Sequence, residues 1–201
     1  MPLLHYERYN SVKTVDNASY TPLYLRYSVW AVAAVGAKEH CSQSGEYYTK
    51  ARHLVEASAV ADPRSTQLGL WRAQAWLHLA MHDMMCGRFA LVWTNTCQAI
   101  RLLQIGNVHN LDMTNPCSRS QDSMSCHWSH AEESRRAFWF AFCMDKSAFV
   151  GKGLPSLINE KDVCLSPPCV TCGIPIDMNY RFVLIYPCQT RHTNLRRNIL
   201  P

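Results

Sequence analysis

The sequence predicts an all-α protein, a multi-helix array of antiparallel helices followed by an irregular C-terminal tail. Three observations carry this expectation. Apolar residues recur at three- and four-residue intervals in successive windows up to residue 152, the spacing that lines one face of an α-helix. Glycine is scarce, 8 of 201 residues, as helix interiors require. The strand-like run Phe182–Tyr186 (FVLIY) has no evident partner to pair with, and a lone strand is not stable.

The elements follow in order. Residues 21–37 (TPLYLRYSVWAVAAVGA) are Ala-rich with one charge and read as a buried helix, with Gly36 near its end. Ser42 to Gly45 reads as a turn, and a second helix follows with Tyr48, Ala51, Val55 and Ala59 as its buried stripe. A third helix should open at Asp62-Pro63, where the acid can cap and proline suits the first helical position. Its stripe is Leu68, Trp71, Ala75, Leu79 and then Cys86. Gly87-Arg88 breaks the pattern, and a fourth helix runs from Phe89 to a stop at Gly106. So short a turn makes the third and fourth helices antiparallel neighbours.

Residues 107–128 are polar and aperiodic and read as a loop. Ser129-His-Ala-Glu132 then fits a capping box opening a fifth helix. Glu132 stands one turn before Arg136, a pair worth a few tenths of a kcal/mol (~0.2–0.5) on a surface. Phe138, Phe142, Asp145 and Phe149 share one face, with Trp139 and Cys143 beside them. Gly151 and Gly153-Leu154-Pro155 end the helix, and from Ser166 the helical period is lost. A long helix with Phe and Trp on its inner faces belongs at the centre of the array. An Asp on such a face must be paired, so Asp145 should cap or bond a neighbouring segment, with Arg135 or Arg136 as partners.

Charge and composition exclude several functions. With 48% hydrophobic and 17% charged residues the chain is globular rather than disordered. The net charge of +5 is concentrated at the end, where Arg181, Arg191, Arg196 and Arg197 have no acidic neighbour. The body is almost neutral and lacks the basic face of a nucleic-acid-binding domain. MPLLHYERYN is too polar for a secretory signal, and no stretch approaches the ~20 apolar residues of a membrane span. The expected protein is therefore soluble and intracellular, with its ten cysteines as reduced thiols.

Cys164, Cys169, Cys172 and Cys188 form the best candidate metal set, because Cys169-x2-Cys172 has the bite of a zinc knuckle. A second knuckle is missing, and free thiols are the simpler reading. His78-x3-His82-Asp83 lacks the glutamate that a zinc-protease helix places after its first histidine. Cys126-His127-x2-His130 sits at a loop-to-helix junction, where capping is the simpler role. No nucleophile elbow, phosphate loop or Gly-rich fingerprint occurs. The expectation is no enzyme, no catalytic residue and no cofactor in this chain. A metal-dependent helical enzyme is a distant third reading, resting on the His and Cys clusters alone.

Glu132, Arg135, Arg136, Phe138, Trp139, Phe142, Asp145 and Lys146, followed by Gly153, Pro155, Ile158, Asp162 and Val163, resemble a family pattern. That pattern is E-x-x-R-R-x-F-W-x-x-F-x-x-D-R, then G-R-P-x-x-I-x-x-x-D-I, of the fungal-specific transcription factor domain. This is the all-helical middle homology region of zinc-cluster regulators. The turn at Gly87, Ala99 and Arg101, the Ile105-Gly106 to His109 end, and Pro2-Leu3-Leu4-His5 are similar to further elements of that family. Lys146 and Leu154 stand where the family has arginines, which weakens a polar role there. The resemblance covers about residues 2–165.

The resemblance implies residues 1–165 as an incomplete regulatory domain and residues 166–201 as an irregular tail. It makes the signature residues architectural. It implies a nuclear protein that regulates transcription by RNA polymerase II, with a possible small-molecule effector, co-regulators or a second copy as partners and no membrane. DNA contact and zinc would belong to a zinc-cluster module, whose C-x2-C-x6-C repeat does not occur before Cys41. The compositional change near residue 166 suggests a shortened product with read-through sequence. The alternative is a truncated, partner-binding protein that acts without DNA through an exposed apolar surface.

Overall fold

The computed structural model describes residue 4 and residues 21–37, 40–61, 66–114 and 125–168. Their helices are α1 (Leu23–Gly36), α2 (Cys41–Ala61), α3 (Thr66–Met85), α4 (Phe89–Ile105), the short α5 (Leu111–Thr114) and α6 (Ser125–Lys152). Single 3-10 turns lie at Val108–Asn110 and Glu160–Asp162. Among the described residues there is no strand, and no helix is long and apolar enough to cross a membrane.

α1 packs on α2, and α3 packs on α4, as two antiparallel pairs that meet through α1 and α3. The Ala-rich face of α1 makes the first approach possible. Tyr24, Leu25, Ser28, Ala31 and Ala34 are its buried positions, and the small ones let the backbones come close. On α2 the expected stripe of Tyr48, Ala51 and Val55 is buried. The side chains of Ala59 and Leu68, and the Asp62-Pro63 cap, lie outside the described residues.

α3, rather than the long α6, occupies the centre. It contacts α1, α2, α4 and α6, and every residue from Leu70 to Asp83 except Trp71 and Arg72 is buried. A helix apolar on most of its circumference is a core helix. Four-sided contact therefore replaces the single stripe expected from sequence, while Cys86 at its foot of that stripe is exposed. α6 packs across α4 and touches α3 from one side. Its Phe138 is fully buried, whereas Phe149 is 53% exposed because the last turn runs past the core.

Glycine sets two of the helix ends. Gly87 has φ +71°. Its N–H donates to the Met84 carbonyl at 3.1 Å, and the Arg88 N–H donates to the Asp83 carbonyl at 2.8 Å, the paired bonds of a Schellman stop. Gly153, at φ +67°, ends α6 with its N–H on the Phe149 carbonyl at 2.9 Å.

Three local expectations are corrected. Ser42 to Gly45 is the first turn and a half of α2, not a turn before it. Ser44 is buried there, and its hydroxyl reaches the Ala31 carbonyl of α1 at 3.2 Å, so tertiary bonding overrides the local turn preference. The supposed loop 107–128 begins with a 3-10 turn and α5; residues 115–124 lie outside the described residues. α6 starts at Ser125, so Ser129 and Glu132 sit inside the helix and form no capping box.

Candidate functional site

The signature residues of α6 gather at two places where the chain after the helix is fastened back onto it. At the C-terminal end, the Asp145 carboxylate accepts four bonds from the segment beyond Gly153-Leu154-Pro155. The Ser156 hydroxyl donates at 2.6 Å, the Leu157 N–H at 3.0 and 3.1 Å to the two oxygens, and the Ile158 N–H at 3.2 Å. Asp145 is buried, and these donors offset its desolvation. Its partners are thus backbone and Ser156; Arg135 and Arg136 bond elsewhere. Gly153 and Pro155 are exposed and make the reversal that brings residues 156–158 back. Ile158 then closes over the core, at 3% exposure.

Lys146 keeps a polar role despite replacing arginine. Its ammonium donates to the Ser156 hydroxyl at 2.8 Å and the Ile158 carbonyl at 2.9 Å, and lies 3.5 Å from Glu160. It also sits 5.0 Å from the centre of the Phe142 ring. Leu154 is exposed. Asp162 is exposed and accepts from the Asn159 amide at 3.0 Å.

The second fastening lies nearer the start of α6. Arg135 donates to Asp112 of α5 at 2.5 Å, and the other oxygen of Asp112 accepts the Ser166 N–H at 2.6 Å. Trp139 donates its indole N–H to the Ser166 carbonyl at 2.9 Å. Ser166, where the sequence reading begins the tail, is therefore held at both its backbone groups. Two residues earlier the Cys164 N–H donates to the His109 carbonyl at 2.8 Å. Glu132 completes the group, with Arg136 at 3.0 Å and Arg135 at 3.7 Å. All four charged side chains are buried, so the Glu132–Arg136 pair is an interior one and not the surface pair expected. Burial alone would raise the Asp112 carboxyl, but the bonds from Arg135 and Ser166 outweigh it and hold it below the usual carboxylate range.

A third polar group crosses the bundle between α2, α3 and α4. Asp83 accepts from the Tyr48 hydroxyl at 3.0 Å and the Asn95 amide at 2.7 Å, and pairs with Arg88 at 2.7 Å. Burial nevertheless pushes its carboxyl up, against the pull of Tyr48 and Arg88. Beside it Arg88 lies 2.9 Å from His82 Nδ1. A guanidinium can only donate, so Nδ1 carries the lone pair and the proton is on Nε2. That proton faces the Ser44 oxygen at 2.7 Å. Burial, and then Arg88, lower the His82 pKa to about 4; burial does the same for His78 despite its bond to the Gln74 backbone. Sequence reasoning missed Asp112, Ser166, Ser44 and Asn95; only the i, i+3 and i, i+4 pairs were visible to it.

Of the metal candidates Cys164, Cys169, Cys172 and Cys188, the structure describes Cys164 alone. Cys164 is an exposed free thiol, while Cys169, Cys172 and Cys188 lie outside the described residues, as do the side chains of Cys126 and His127. Among the described residues no three His, Cys, Asp or Glu side chains stand where they could share a metal ion. His82 is already committed to Ser44 and Arg88.

The sequence has counterparts among known proteins. The model of the fungal specific transcription factor domain matches residues 1–187. The chain belongs to this family. It is 28% identical over 170 residues to a pigment biosynthesis transcriptional activator of Monascus ruber, covering 83% of this chain and 31% of that protein. It is 28% identical over 171 residues to an ascochitine biosynthesis cluster transcriptional regulator of Didymella fabae, covering 84% and 29%. A citrinin biosynthesis transcriptional activator of Monascus purpureus is 24% identical over 172 residues, covering 83% and 28%. The chain thus spans less than a third of the length of these relatives. No solved structure matches it. The family and these relatives are transcription regulators, not enzymes.

Proposed function

We propose that the chain is the regulatory domain of a fungal regulator of biosynthetic genes, acting in the nucleus on transcription by RNA polymerase II. The observation that carries the reading is the family match along residues 1–187, which includes both fastened regions of α6. The pigment, ascochitine and citrinin regulators it resembles support the coarser class. In this reading the fastened α6 holds a folded array and does no chemistry. DNA contact is assigned to a zinc-cluster module outside these 201 residues, and zinc to that module alone. A small-molecule effector, a co-regulator or a second copy would act on the helical array.

Deleting the gene and measuring transcripts of the neighbouring biosynthetic genes tests this, with a fluorescent fusion to follow location. A fall of several-fold in those transcripts and a nuclear signal are expected. Unchanged transcripts in conditions where the genes are active would sink the reading.

A second reading has the chain act without DNA by binding a full-length regulator. Phe149 and Val150 in the last turn of α6, and Leu154 just beyond it, are all exposed apolar residues and favour it. Mixing the chain with a full-length relative and looking for a mixed complex by size-exclusion chromatography separates the two readings.

A further inference from the structure

A cavity of about 220 Å³ opens between α2, α3 and α4, apart from both fastened regions of α6. Its floor is made by Val55, Trp76 and Asn95, all buried. Its mouth is made by Glu56, Thr94 and Gln98, all exposed. Arg52 and Arg72 line the wall between them, both half-buried.

Two polar groups of this lining lack hydrogen-bond partners. Asn95 is fully buried; its Nδ2 donates to Asp83, but its Oδ1 accepts nothing. The amide cannot be turned to relieve this, because Oδ1 would then face a carboxylate that needs donors. Arg72 has its buried Nε without an acceptor, and none of the ion pairs among the described residues includes its guanidinium. Arg72 acts on the Tyr24 phenol, but burial pushes that group up to about 12 and it is neutral, so it supplies no counter-charge. Buried polar atoms are nearly always satisfied, and exceptions call for an explanation.

The remaining groups narrow the chemistry. Arg52 is already paired with Glu56 at 3.0 Å and lies over Trp76 at 5.8 Å. Of two cations and one anion in the lining, one positive charge is left over, and it is Arg72. The free acceptor is Asn95 Oδ1. The apolar surface comes from Val55 and Trp76. A monocyclic ring is the right size, since a cavity of ~150 Å³ accepts benzene.

We propose that this cavity binds a small monoanionic ligand, a hydroxylated monocyclic carboxylic acid. Its carboxylate pairs with Arg72, its hydroxyl donates to Asn95 Oδ1, and its ring lies against Trp76 and Val55. The site is held in place before the ligand arrives. Tyr48 bonds both Arg52 and Asp83, at 3.1 and 3.0 Å, and Asp83 anchors the Asn95 amide, so little ordering accompanies binding. This goes beyond the transcription reading and does not depend on it, because binding is read on the chain alone.

The test is calorimetric titration of 3-hydroxybenzoate into the full chain at low salt. Saturable one-to-one binding is expected. 3-Hydroxybenzyl alcohol, which lacks the charge, and Arg72→Gln should each weaken binding roughly tenfold or more, as loss of a charge-assisted pair does. Benzoate, which lacks the hydroxyl, should also bind more weakly, and Arg72→Lys should restore part of the loss in Arg72→Gln. No saturable binding of 3-hydroxybenzoate, or equal binding of the alcohol, overturns the proposal. The ligand series on the unaltered chain decides the matter even where Arg72→Gln does not fold.

Discussion

The α6 region and the α1–α4 bundle both bury carboxylates, yet they use them differently. In the bundle, Asp83 is met by side chains: Tyr48, Asn95 and Arg88. These cross between helices that already pack through alanine and leucine, so the polar group fixes their relative position. On α6, Asp145 is met largely by backbone N–H groups of residues 157 and 158, and Asp112 of α5 ties Arg135 of α6 to the N–H of residue 166. Those residues lie outside any helix, and their N–H groups turn to these carboxylates instead. The carboxylates there decide where the chain goes. The difference teaches that the family signature on α6 encodes a chain route more than a helix.

The largest effect should come from separating Asp112 and Arg135. Removing one member of a buried pair leaves a charge without compensation, and Asp112→Ala should cost about 3–5 kcal/mol in urea unfolding. Asp145→Ala should follow, at about 3 kcal/mol, because the half-buried Leu157 and buried Ile158 donors lose a charged acceptor. If both cost less than about 1 kcal/mol, a typical surface ion pair, the route-setting role is lost and the two regions are alike.

Acid sharpens the comparison from the other side. His78 and His82 titrate near 4 in the fold and near 6.5 when unfolded. Their folded pKa values are depressed, so the unfolded chain takes up protons first. Stability is full above about pH 6.5 and is lost as the pH falls towards 4. At pH 5 the loss should be roughly 2 kcal/mol for each buried histidine, and His82→Gln should remove one share of it. Asp83, with its carboxyl raised, works in the opposite sense as the pH falls. Asp112, held low, contributes a loss only below the ordinary carboxylate range. A melting temperature that does not change between pH 7 and pH 5 would contradict this. The smallest effect is expected at Lys146→Met, below about 1 kcal/mol, since the ammonium is partly exposed and its partner Glu160 largely so.

Much of the helical frame was legible because helix periodicity is local. The stripe of Tyr48, Ala51 and Val55, the stop at Gly87 and the end at Gly153 each depend on neighbours within a few residues. The resemblance of the Glu132–Val163 stretch carried the family. What escaped was decided at long range. Asp112 lay in a polar segment without period, and nothing local links it to Arg135, 23 residues on. Ser44 looked like a turn residue until α1 and His82 supplied partners for its hydroxyl. The centrality of α3 was hidden because His78, His82, Asp83 and Gln74 break its apolar surface; their burial needed partners from other helices. Asn95 and Arg72 carried no sequence signal at all, since a lone amide and a lone arginine on helix faces look solvent-exposed until the fold closes around them.

Amide hydrogen exchange in the native chain and in Asp145→Ala tests the central claim most directly. Leu157 and Ile158 N–H should be protected in the native chain, although they lie outside any helix, and should lose that protection in the variant while α1–α4 keep theirs. Unprotected Leu157 and Ile158 in the native chain, or protection unchanged by the substitution, would show that Asp145 does not set the route.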